Sequence, residues 1–393
     1  MTNTTLLQHI PSLTRVDKMI PINKPWLSEE EKREITSVLD DNALTSAAKD
    51  GGKMVRDFEF ELRNFLKVKH VVAVNSGTAA LYATLLAADV KKGDEILLPS
   101  FTFVATANSV VAAGAKPVFV DINIDDFTLD ISDLNNKITD KSKAIIPVHL
   151  YGHPSAMDEI SELANKYSLN VIEDACQSAG STFKSKQTGT MGLMGCFSMY
   201  ASKVLTCGEG GAIATNSDDL AERLKMIRNH GMVNGYDTQV FGLNLRLPEL
   251  SAAIAKVQTK RLPTMLYSRR KNAELMSNIL HNVSEKLKIR LPAEDHRKQF
   301  NWYLYTVAFG DNSIRERVKT MMLKEGIGAT VYYDPPIHET PYYRKLTESC
   351  PKNKSKNLTN TEQSSRRVLS LPVHPLVKKG DIEYIASIIK KID

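Results

Sequence analysis

The sequence predicts an α/β protein: a large domain with a mostly parallel mixed sheet, followed by a smaller C-terminal α+β domain. Short β-branched runs alternate with helix-compatible segments over the first 245 residues, a pattern typical of parallel strands joined by helices. The alternation then stops. Because 393 residues exceed the size at which one core stops growing, two domains are expected. We therefore predict an N-terminal arm at 1–18, a large domain at 19–245 and a small domain at 246–393.

The elements follow from local patterns taken in chain order. The first helix begins at a capping box formed by Ser28 and Glu31, with an apolar stripe behind it. The predicted strands of the large domain are Val71–Val74, Ile96–Leu98, Pro117–Asp121, Ala144–Val148 and Val171–Glu173. The helical patterns among and after them are Ala79–Ala88, Asp158–Tyr167 and Asp218–Asn229. The small domain is predicted to hold a long helix at Pro248–Leu280, a strand at Tyr303–Phe309, a helix at Ile314–Lys324, a short run at Ala329–Tyr333, a polar loop at 351–360 and a last helix at Asp381–Lys391.

Composition narrows the class of protein. The net charge of +6 is spread over 51 basic and 45 acidic residues, which suits a small anionic substrate but not nucleic acid, since no dense basic stripe occurs. The four cysteines show no metal-binding or redox spacing. No segment has the apolar length of a membrane span or of a signal peptide, so we expect a cytoplasmic protein.

One candidate phosphate-binding segment is Asn75–Ala80, which joins a predicted strand to a helix. A turn of small residues at a helix N-terminus exposes backbone N–H groups, and the helix dipole adds positive charge. Many such turns contain glycine and bind nothing, so the segment alone does not decide between the two interpretations. Pro99–Thr106 is a second post-strand segment, and its Phe103 either stacks on a planar ligand or packs in the core.

Two further segments carry ionisable groups that could do chemistry. Asp174 ends an apolar strand, where it would either neutralise a buried cationic ring nitrogen or cap a helix. Lys203 lies 29 positions later (203 − 174), among small residues and before a glycine cluster. Such surroundings can keep an amine desolvated and nucleophilic, although a lysine in a loop is more often a solvated charge. Ser198 and Ser202 supply hydroxyls beside it.

The ordered motifs resemble the DegT/DnrJ/EryC1/StrS family of sugar aminotransferases over about residues 19–393. The segments that carry the resemblance are S-G-T-A-A-L, P-S-F-T-F-V-A-T-A-N, H-L-Y-G-H-P, E-D-A-C-Q, F-S-M-Y-A-S-K, G-E-G-G, R-N-H-G-M and G-L-N-L-R-L. The pattern is most similar to the perosamine-synthase-like subgroup, which acts on 4-keto-6-deoxysugars. The resemblance implies the aspartate-aminotransferase fold, that is, fold type I of the enzymes that use pyridoxal 5'-phosphate.

The resemblance also implies roles for particular residues. Lys203 would be the Schiff-base lysine, and Asp174 would bind the pyridinium nitrogen of the cofactor. Phe103 would stack on the ring, and Gln177 would lie near its phenolic oxygen. The remaining cofactor-binding positions would be Gly77, Thr78 and Ser198 for the phosphate, with Asn244 reaching into the site of a neighbouring subunit. A homodimer with shared active sites is therefore expected.

The expected reaction is transamination of a nucleotide-linked keto sugar with glutamate as the amino donor. Two departures from the family pattern stand out. Asn42–Ala48 replaces a loop of the form G-W-L-T-x-G-P that binds the sugar in relatives, which leaves the identity of the substrate open. Tyr303 stands where relatives often have histidine. The retained Lys203 argues against the histidine-bearing dehydratase branch. A cyclitol or aminobenzoate precursor is an alternative substrate, and a regulator without enzyme activity is a third interpretation, against which Lys203 and Asp174 argue.

No metal site is expected from the sequence. His149 and His153 are four residues apart, but they lie at a strand end and turn, where this spacing does not bring two ligands to one ion.

Overall fold

The computed structural model describes residues 19–293, 295–348 and 358–391. The predicted N-terminal arm and residues 351–357 of the predicted polar loop lie outside the described residues. The helices are, in chain order, α1 Glu29–Asp40, α2 Lys53–Leu66, α3 Gly77–Ala87, α4 Ala105–Ala112, α5 Ile131–Lys137, α6 Met157–Lys166, α7 Asp218–Ile227, α8 Glu249–Ser284, α9 Asn312–Lys324, α10 Pro341–Glu348, α11 Thr359–Arg367 and α12 Lys379–Lys390. The strands are β1 His70–Val74, β2 Glu95–Pro99, β3 Lys116–Val120, β4 Ser142–Ile145, β5 Asn170–Asp174, β6 Thr182–Phe183, β7 Lys186–Gln187, β8 Met194–Ser198, β9 Gly211–Thr215, β10 Ile289–Arg290, β11 Lys298–Gln299, β12 Tyr305–Phe309 and β13 Val368–Leu371.

The large domain is built on a seven-stranded sheet in the order β1-β9-β8-β5-β4-β2-β3. Strand β9 runs antiparallel to β1 and β8, while the other neighbouring pairs are parallel. The prediction of a mostly parallel mixed sheet is confirmed. All strands except β9 therefore point their carboxyl ends to the same edge, which is where ligands bind in such sheets.

Helices cover both faces of this sheet, which is why its strands read as continuous apolar runs. Ile96, Leu97 and Leu98 of β2 are all fully buried. Helix α3 packs between the sheet and its neighbours α4 and α7, and it is apolar on nearly every side. On the opposite face, α2 packs against the N-terminal half of α8 in one continuous core.

The C-terminal part holds a three-stranded antiparallel sheet in the order β10-β12-β13. Its core joins Tyr305, Val307 and Phe309 of β12 to α9, α12 and the C-terminal half of α8. Helix α8 thus contributes to the cores of both domains. The predicted boundary at residue 245 falls just before this helix and stays a prediction. A third small sheet has the order β11-β6-β7.

Local patterns found most elements but missed several. The prediction did not include α2, and it did not include β8 and β9, whose sequences M-G-C-F-S and G-A-I-A-T are poor in the β-branched residues that mark strands. The short run predicted at Ala329–Tyr333 forms one isolated antiparallel bridge, between Thr330 and Ser370. The capping box is present: the side chains of Ser28 and Glu31 bond each other's backbone amides as predicted. Within the described residues, no helix is both long and apolar enough to cross a bilayer.

Candidate active site

A cavity of about 400 Å³ opens at the carboxyl edge of the large sheet. The segments that follow β1 and β2 line it, together with the last residues of β5 and β8. Seven of the eight residues predicted for the site converge here, although they come from segments far apart in the chain. They are Gly77, Thr78, Phe103, Asp174, Gln177, Ser198 and Lys203.

The start of α3 forms an anion seat on one wall of the cavity. Ser76 caps the helix, and its hydroxyl accepts a hydrogen bond from the amide of Ala79 at 3.0 Å. The amides of Gly77 and Thr78 lie in the first turn, where no intrahelical acceptor exists. A Cβ atom on Gly77 would lie 2.7 Å from the Cβ of Ser198, so only glycine lets the helix start approach β8 this closely. The seat therefore combines free amides, a helix dipole and the hydroxyl of Ser198.

Asp174 forms the acidic wall of the cavity. It is the last residue of β5 and is 5% exposed. Its Oδ2 accepts a hydrogen bond from the hydroxyl of Thr106 at 2.8 Å, and its Oδ1 accepts one from the amide of Cys176 at 3.1 Å. A carboxylate this buried is stable only with compensating partners, and two neutral donors leave its charge available to a cation in the cavity.

Lys203 forms the nucleophilic wall, and its closest charge-stabilising neighbour is aromatic. Its Nζ lies 4.6 Å from the centre of the Tyr303 ring, over the ring face. The Tyr303 hydroxyl lies 3.2 Å from Oγ of Ser202, the residue before Lys203. Within the described part of the chain, Lys203 has no carboxylate at ion-pair distance. Its amine is therefore positioned over an aromatic ring face and not held in an ion pair.

Gln177 is part of a rigid floor beneath these groups. Its Oε1 accepts a hydrogen bond from the amide of Tyr151 at 2.9 Å, and its Nε2 donates one to the Tyr333 hydroxyl at 2.9 Å. The Tyr333 ring stacks on that of Tyr151 with centres 6.0 Å apart. Burial raises the pKa of Tyr333 well above its ordinary value, so its hydroxyl remains protonated. Gln177 is thus fixed in orientation at the cavity wall.

Phe103 lies at the mouth and is 59% exposed, so its ring is available to a ligand instead of being packed in the core. Sequence reasoning assigned no role to Thr106, Tyr303, Tyr332 or Tyr333. Thr106 lies in the first turn of α4, and no local sequence pattern singled it out. The tyrosines come from the small domain, and no local pattern links them to the sheet edge.

Asn244 is the one predicted site residue that does not line this cavity. It is exposed, and its backbone carbonyl accepts a hydrogen bond from Nδ2 of Asn75 at 3.3 Å. Its predicted role lies in the site of a neighbouring subunit, and a single chain does not test that role.

The two histidines that were weighed as metal ligands have different surroundings. Nδ1 of His149 accepts a hydrogen bond from the amide of Ser155, so Nε2 carries the proton and donates to the buried carboxylate of Glu173 at 2.9 Å. His153 stacks on Phe300 with ring centres 4.1 Å apart. Burial lowers the pKa of His153 to about 4, so it is neutral at physiological pH. The two rings do not form a shared ligand set.

A separate group, His338, Glu339 and Glu362, places three ligand atoms within 4.8 Å of one another outside the catalytic cavity. His338 Nδ1 is bonded to the Ser100 hydroxyl at 2.7 Å, and Arg366 lies 3.8 Å from Glu339. This arrangement is a hydrogen-bonded and ion-paired contact between the small domain and the end of β2.

A mixed sheet of this order, with a lysine and a buried aspartate lining one cavity at its carboxyl edge, is the architecture of the pyridoxal-phosphate-dependent aminotransferases that this chain resembles in structure. The chain belongs to the DegT/DnrJ/EryC1/StrS aminotransferase family, whose model matches residues 25–390. The family predicted from the ordered motifs is confirmed.

Known relatives match this chain over nearly its full length. It is 35% identical to a pleiotropic regulatory protein of Geobacillus stearothermophilus, over 91% of this chain and 94% of the relative. It is 32% identical to the GDP-perosamine synthase of Caulobacter vibrioides, over 95% of this chain and 98% of the relative. The crystal structure of S. venezuelae DesV with a ketimine intermediate superimposes with a TM-score of 0.85 at 31% identity, covering 95% of this chain and 98% of that one.

Proposed function

We propose that this protein transfers an amino group from glutamate to a nucleotide-linked keto-deoxysugar, a 4-keto-6-deoxyhexose, in the biosynthesis of an amino sugar. The observation that carries the proposal is that Asp174, Lys203 and the anion seat at the start of α3 all line one cavity. Each group faces a different part of a molecule the size of pyridoxal 5'-phosphate, which is the cofactor we assign to this site.

The walls of the cavity fit the chemical groups of that cofactor. The amides of Gly77 and Thr78 and the Ser198 hydroxyl suit its phosphate, because a helix N-terminus favours a dianion. Asp174 suits the ring nitrogen, whose positive charge would compensate the buried carboxylate. Phe103 offers a face for stacking, and Gln177 offers an amide to the ring oxygen. When bound, the cofactor supplies an electron sink for the carbanion that forms on the amino donor.

The residues of the chain then have defined tasks. Lys203 would hold the cofactor covalently through its amine, with loss of water from the cofactor's aldehyde. After the amine of glutamate has replaced it there, the freed Lys203 amine would remove the proton from the α-carbon of glutamate as a general base. It returns a proton as a general acid. The π face of Tyr303 stabilises the ammonium form that Lys203 takes between these steps. Thr106 holds the Asp174 carboxylate so that its charge stays aimed into the cavity.

The substrate assignment rests on the cavity mouth and on the relatives. Phe103 is 59% exposed and Tyr200 is 50% exposed at the mouth of the cavity, where both rings offer surfaces for a sugar or a base. One relative is, by its name, a synthase of GDP-perosamine, a product that carries a nucleotide. The net charge of +6 is compatible with a diphosphate. We propose that the protein works in the cytoplasm.

We further propose a homodimer in which Asn244 completes the site of the second subunit. The segment that leads to Asn244 exposes large apolar side chains that a monomer would leave in water. Tyr236 is 98% exposed, Phe241 64% and Leu243 41%. Burial of such a patch against a second copy would bring Asn244 to a cavity other than its own.

Covalent trapping tests the cofactor assignment. Borohydride reduction of the purified protein with pyridoxal phosphate should give an adduct on the peptide that contains Lys203, identified by mass spectrometry. Lys203→Ala should abolish the adduct. Lys166→Ala is a matched control, because Lys166 also lies over a tyrosine ring, at 5.0 Å from that of Tyr167, but far from the cavity residues. An adduct that survives in Lys203→Ala would overturn the assignment.

A substrate panel tests the reaction. With glutamate as donor, nucleotide-linked 4-keto-6-deoxyhexoses should give an aminated product, and Asp174→Asn should reduce kcat by roughly 100-fold or more because the ring nitrogen loses its charged partner. Turnover of a keto-cyclitol or an aminobenzoate precursor, and of no nucleotide sugar, would favour the alternative substrate class. Sequence-specific DNA binding without any turnover would favour the regulator, a function that the name of one relative bears.

A further inference from the structure

A second cavity lies in the small domain and has a strongly basic lining. Its volume is about 140 Å³, and Lys288, Arg290 and Arg367 line it together with Gln363, Ser364 and, from the large domain, Ile124. Among the described residues that line it there is no carboxylate, and none of them lines the catalytic cavity. Three cations in one small cavity repel each other, so the arrangement favours an anionic occupant.

The three cations meet because they lie at the ends of two elements, β10 and α11. Arg290 is the last residue of β10, and Arg367 is the last residue of α11. Lys288 precedes β10 with a φ of +48°, and this left-handed turn packs against Gly310. A Cβ atom on Gly310 would lie 2.9 Å from the Cβ of Lys288, so glycine at 310 permits the close approach. The backbone conformation at Lys288 and Gly310 therefore helps to form the basic cavity, which does not depend on the side-chain conformations alone.

The positive charge of the cavity is only partly compensated. Arg290 lies over the Phe127 ring at 5.2 Å, and its nearest carboxylate is Asp125 at 3.5 Å, which is mostly exposed. Burial lowers the pKa of Arg290, and the nearby charge of Arg367 lowers it further. The carboxylates of Asp125 and Asp126 oppose this effect. The other acidic groups nearby are already engaged: Asp126 pairs with Lys298 at 2.6 Å, and Asp311 caps α9 through the amide of Ser313. Arg367 and Lys288 form no ion pair with any described residue.

An unpartnered hydroxyl adds a second indication of a ligand. Ser364 is 2% exposed, and its Oγ finds no hydrogen-bond partner among the described residues. A buried hydroxyl without a partner costs free energy unless something accepts its proton. A volume of 140 Å³ corresponds to about four or five water molecules, which is enough for a tetrahedral oxyanion.

We propose that this cavity is a second binding site, separate from the catalytic one, for an anion of the phosphate class: inorganic phosphate or the phosphate group of a small metabolite. Arg290 and Arg367 supply charged donors for its oxygens, Lys288 supplies a third cation at the rim, and Ser364 and Gln363 supply neutral donors. The site touches β12 at Phe309, and the same strand begins two residues after Tyr303 of the catalytic cavity. Occupation therefore links Ile124 of the large domain to β12, the strand that begins two residues after Tyr303.

Calorimetric titration of the cofactor-loaded, dialysed protein with inorganic phosphate tests the proposal, because the loaded cofactor keeps phosphate out of the catalytic seat. Binding should saturate with a Kd in the millimolar range or below, and Arg367→Gln should weaken it about tenfold or more through loss of a charged donor. Arg366→Gln is the matched control: Arg366 is the neighbouring residue, is exposed and lies by Glu339 instead. Lys288→Gln is the second variant, since Lys288 is exposed and its replacement leaves the core intact.

The outcomes separate the possibilities. Unchanged phosphate affinity in both Arg367→Gln and Lys288→Gln would overturn the proposal, as would an absence of saturable binding beyond that of sodium chloride at equal ionic strength. A sugar phosphate that binds at least about tenfold more tightly than inorganic phosphate would identify a metabolite as the source of the anion. Equal affinity would identify free phosphate. Both results require that Arg366→Gln behaves as the unmodified protein.

Discussion

Tyr303 lies in the cavity at the position where the sequence motifs of the family led us to expect histidine. Two neighbours fix its backbone: the amide of Tyr303 donates to Oδ1 of Asn301 at 2.9 Å, and Arg269 donates to the carbonyls of Trp302 and Tyr303. Trp302 has a φ of +53°, an unusual conformation that these hydrogen bonds support. Such a network indicates that the ring position over Lys203 is built into the fold.

Substitution at Tyr303 should separate the role of its ring from that of its hydroxyl. A cation–π contact is worth about 0.5–2 kcal/mol, so Tyr303→Leu should lower kcat roughly 2- to 30-fold, whereas Tyr303→Phe should stay within about twofold. Steady-state kcat and KM with glutamate measure the effect, with circular dichroism to verify folding. If Phe proves as damaging as Leu, the hydroxyl contact with Ser202 matters and the π face does not.

At the level of elements, the start of helix α3 depends on one glycine. Gly77→Ala would force the helix away from β8, because the added Cβ would lie 2.7 Å from Ser198 and 3.0 Å from the Cys176 sulfur. We expect the affinity for pyridoxal phosphate to fall about tenfold or more, as its phosphate seat opens. Gly380→Ala is the matched control: its Cβ would meet nothing within 4 Å, and alanine is the better helix former in α12. Fluorescence titration of the cofactor measures both variants, and equal affinities would contradict the phosphate role of this turn.

Helix α1 is attached to α8 through a buried carboxylate. Burial by itself would raise the pKa of Glu31, but hydrogen bonds from Arg261, Ser28 and Gln258 outweigh it and lower the pKa to about 2. The folded-state pKa lies below the ordinary value of 4.5, so the stabilisation is complete above pH 4.5 and is lost as the pH falls toward 2.

Glu31→Gln should therefore lower the free energy of unfolding by about 1–3 kcal/mol at neutral pH, and the difference from the unmodified protein should shrink below about pH 4.5. Urea unfolding at a series of pH values measures this. Glu30→Gln serves as control, because Glu30 is exposed and lies 3.6 Å from the same Arg261, a geometry worth little. A pH-independent difference would mean that lost packing, not lost charge, destabilises Glu31→Gln.

At the level of the whole molecule, a shared site makes a quantitative prediction for mixed dimers. Lys203→Ala and Asn244→Ala should each be nearly inactive. If Asn244 acts in the partner's site, a heterodimer of the two carries one intact site, and unfolding and refolding an equal mixture should restore about a quarter of normal activity. Activity that stays absent in a mixture shown to contain heterodimers would place Asn244 in its own subunit's site instead.

The sequence by itself determined the alternation of strands and helices, the capping box at Ser28 and the cofactor-site candidates at the strand ends. These features are local or depend on one rule of geometry. Apolar period and β-branching specify an element, and parallel strands bring their carboxyl ends to one edge, so Gly77 and Asp174 could be placed together from the sequence. Ser198 was assigned to the same site only through the resemblance to a known family.

Only the tertiary structure decided which distant groups meet. Tyr303 reaches Lys203 across 100 positions of sequence (303 − 203), and Arg290 and Arg367 meet at a cavity through elements that no local pattern connects. Strands β8 and β9 also escaped sequence reasoning, because some of their small residues are required by close approach of other backbone segments and not by strand propensity. A Cβ atom on Gly195 would meet the backbone of Gly189, and one on Gly211 would meet the backbone of Ser76. Contacts of this kind form only when distant segments pack together in the folded chain. No pattern within a single segment can therefore reveal them.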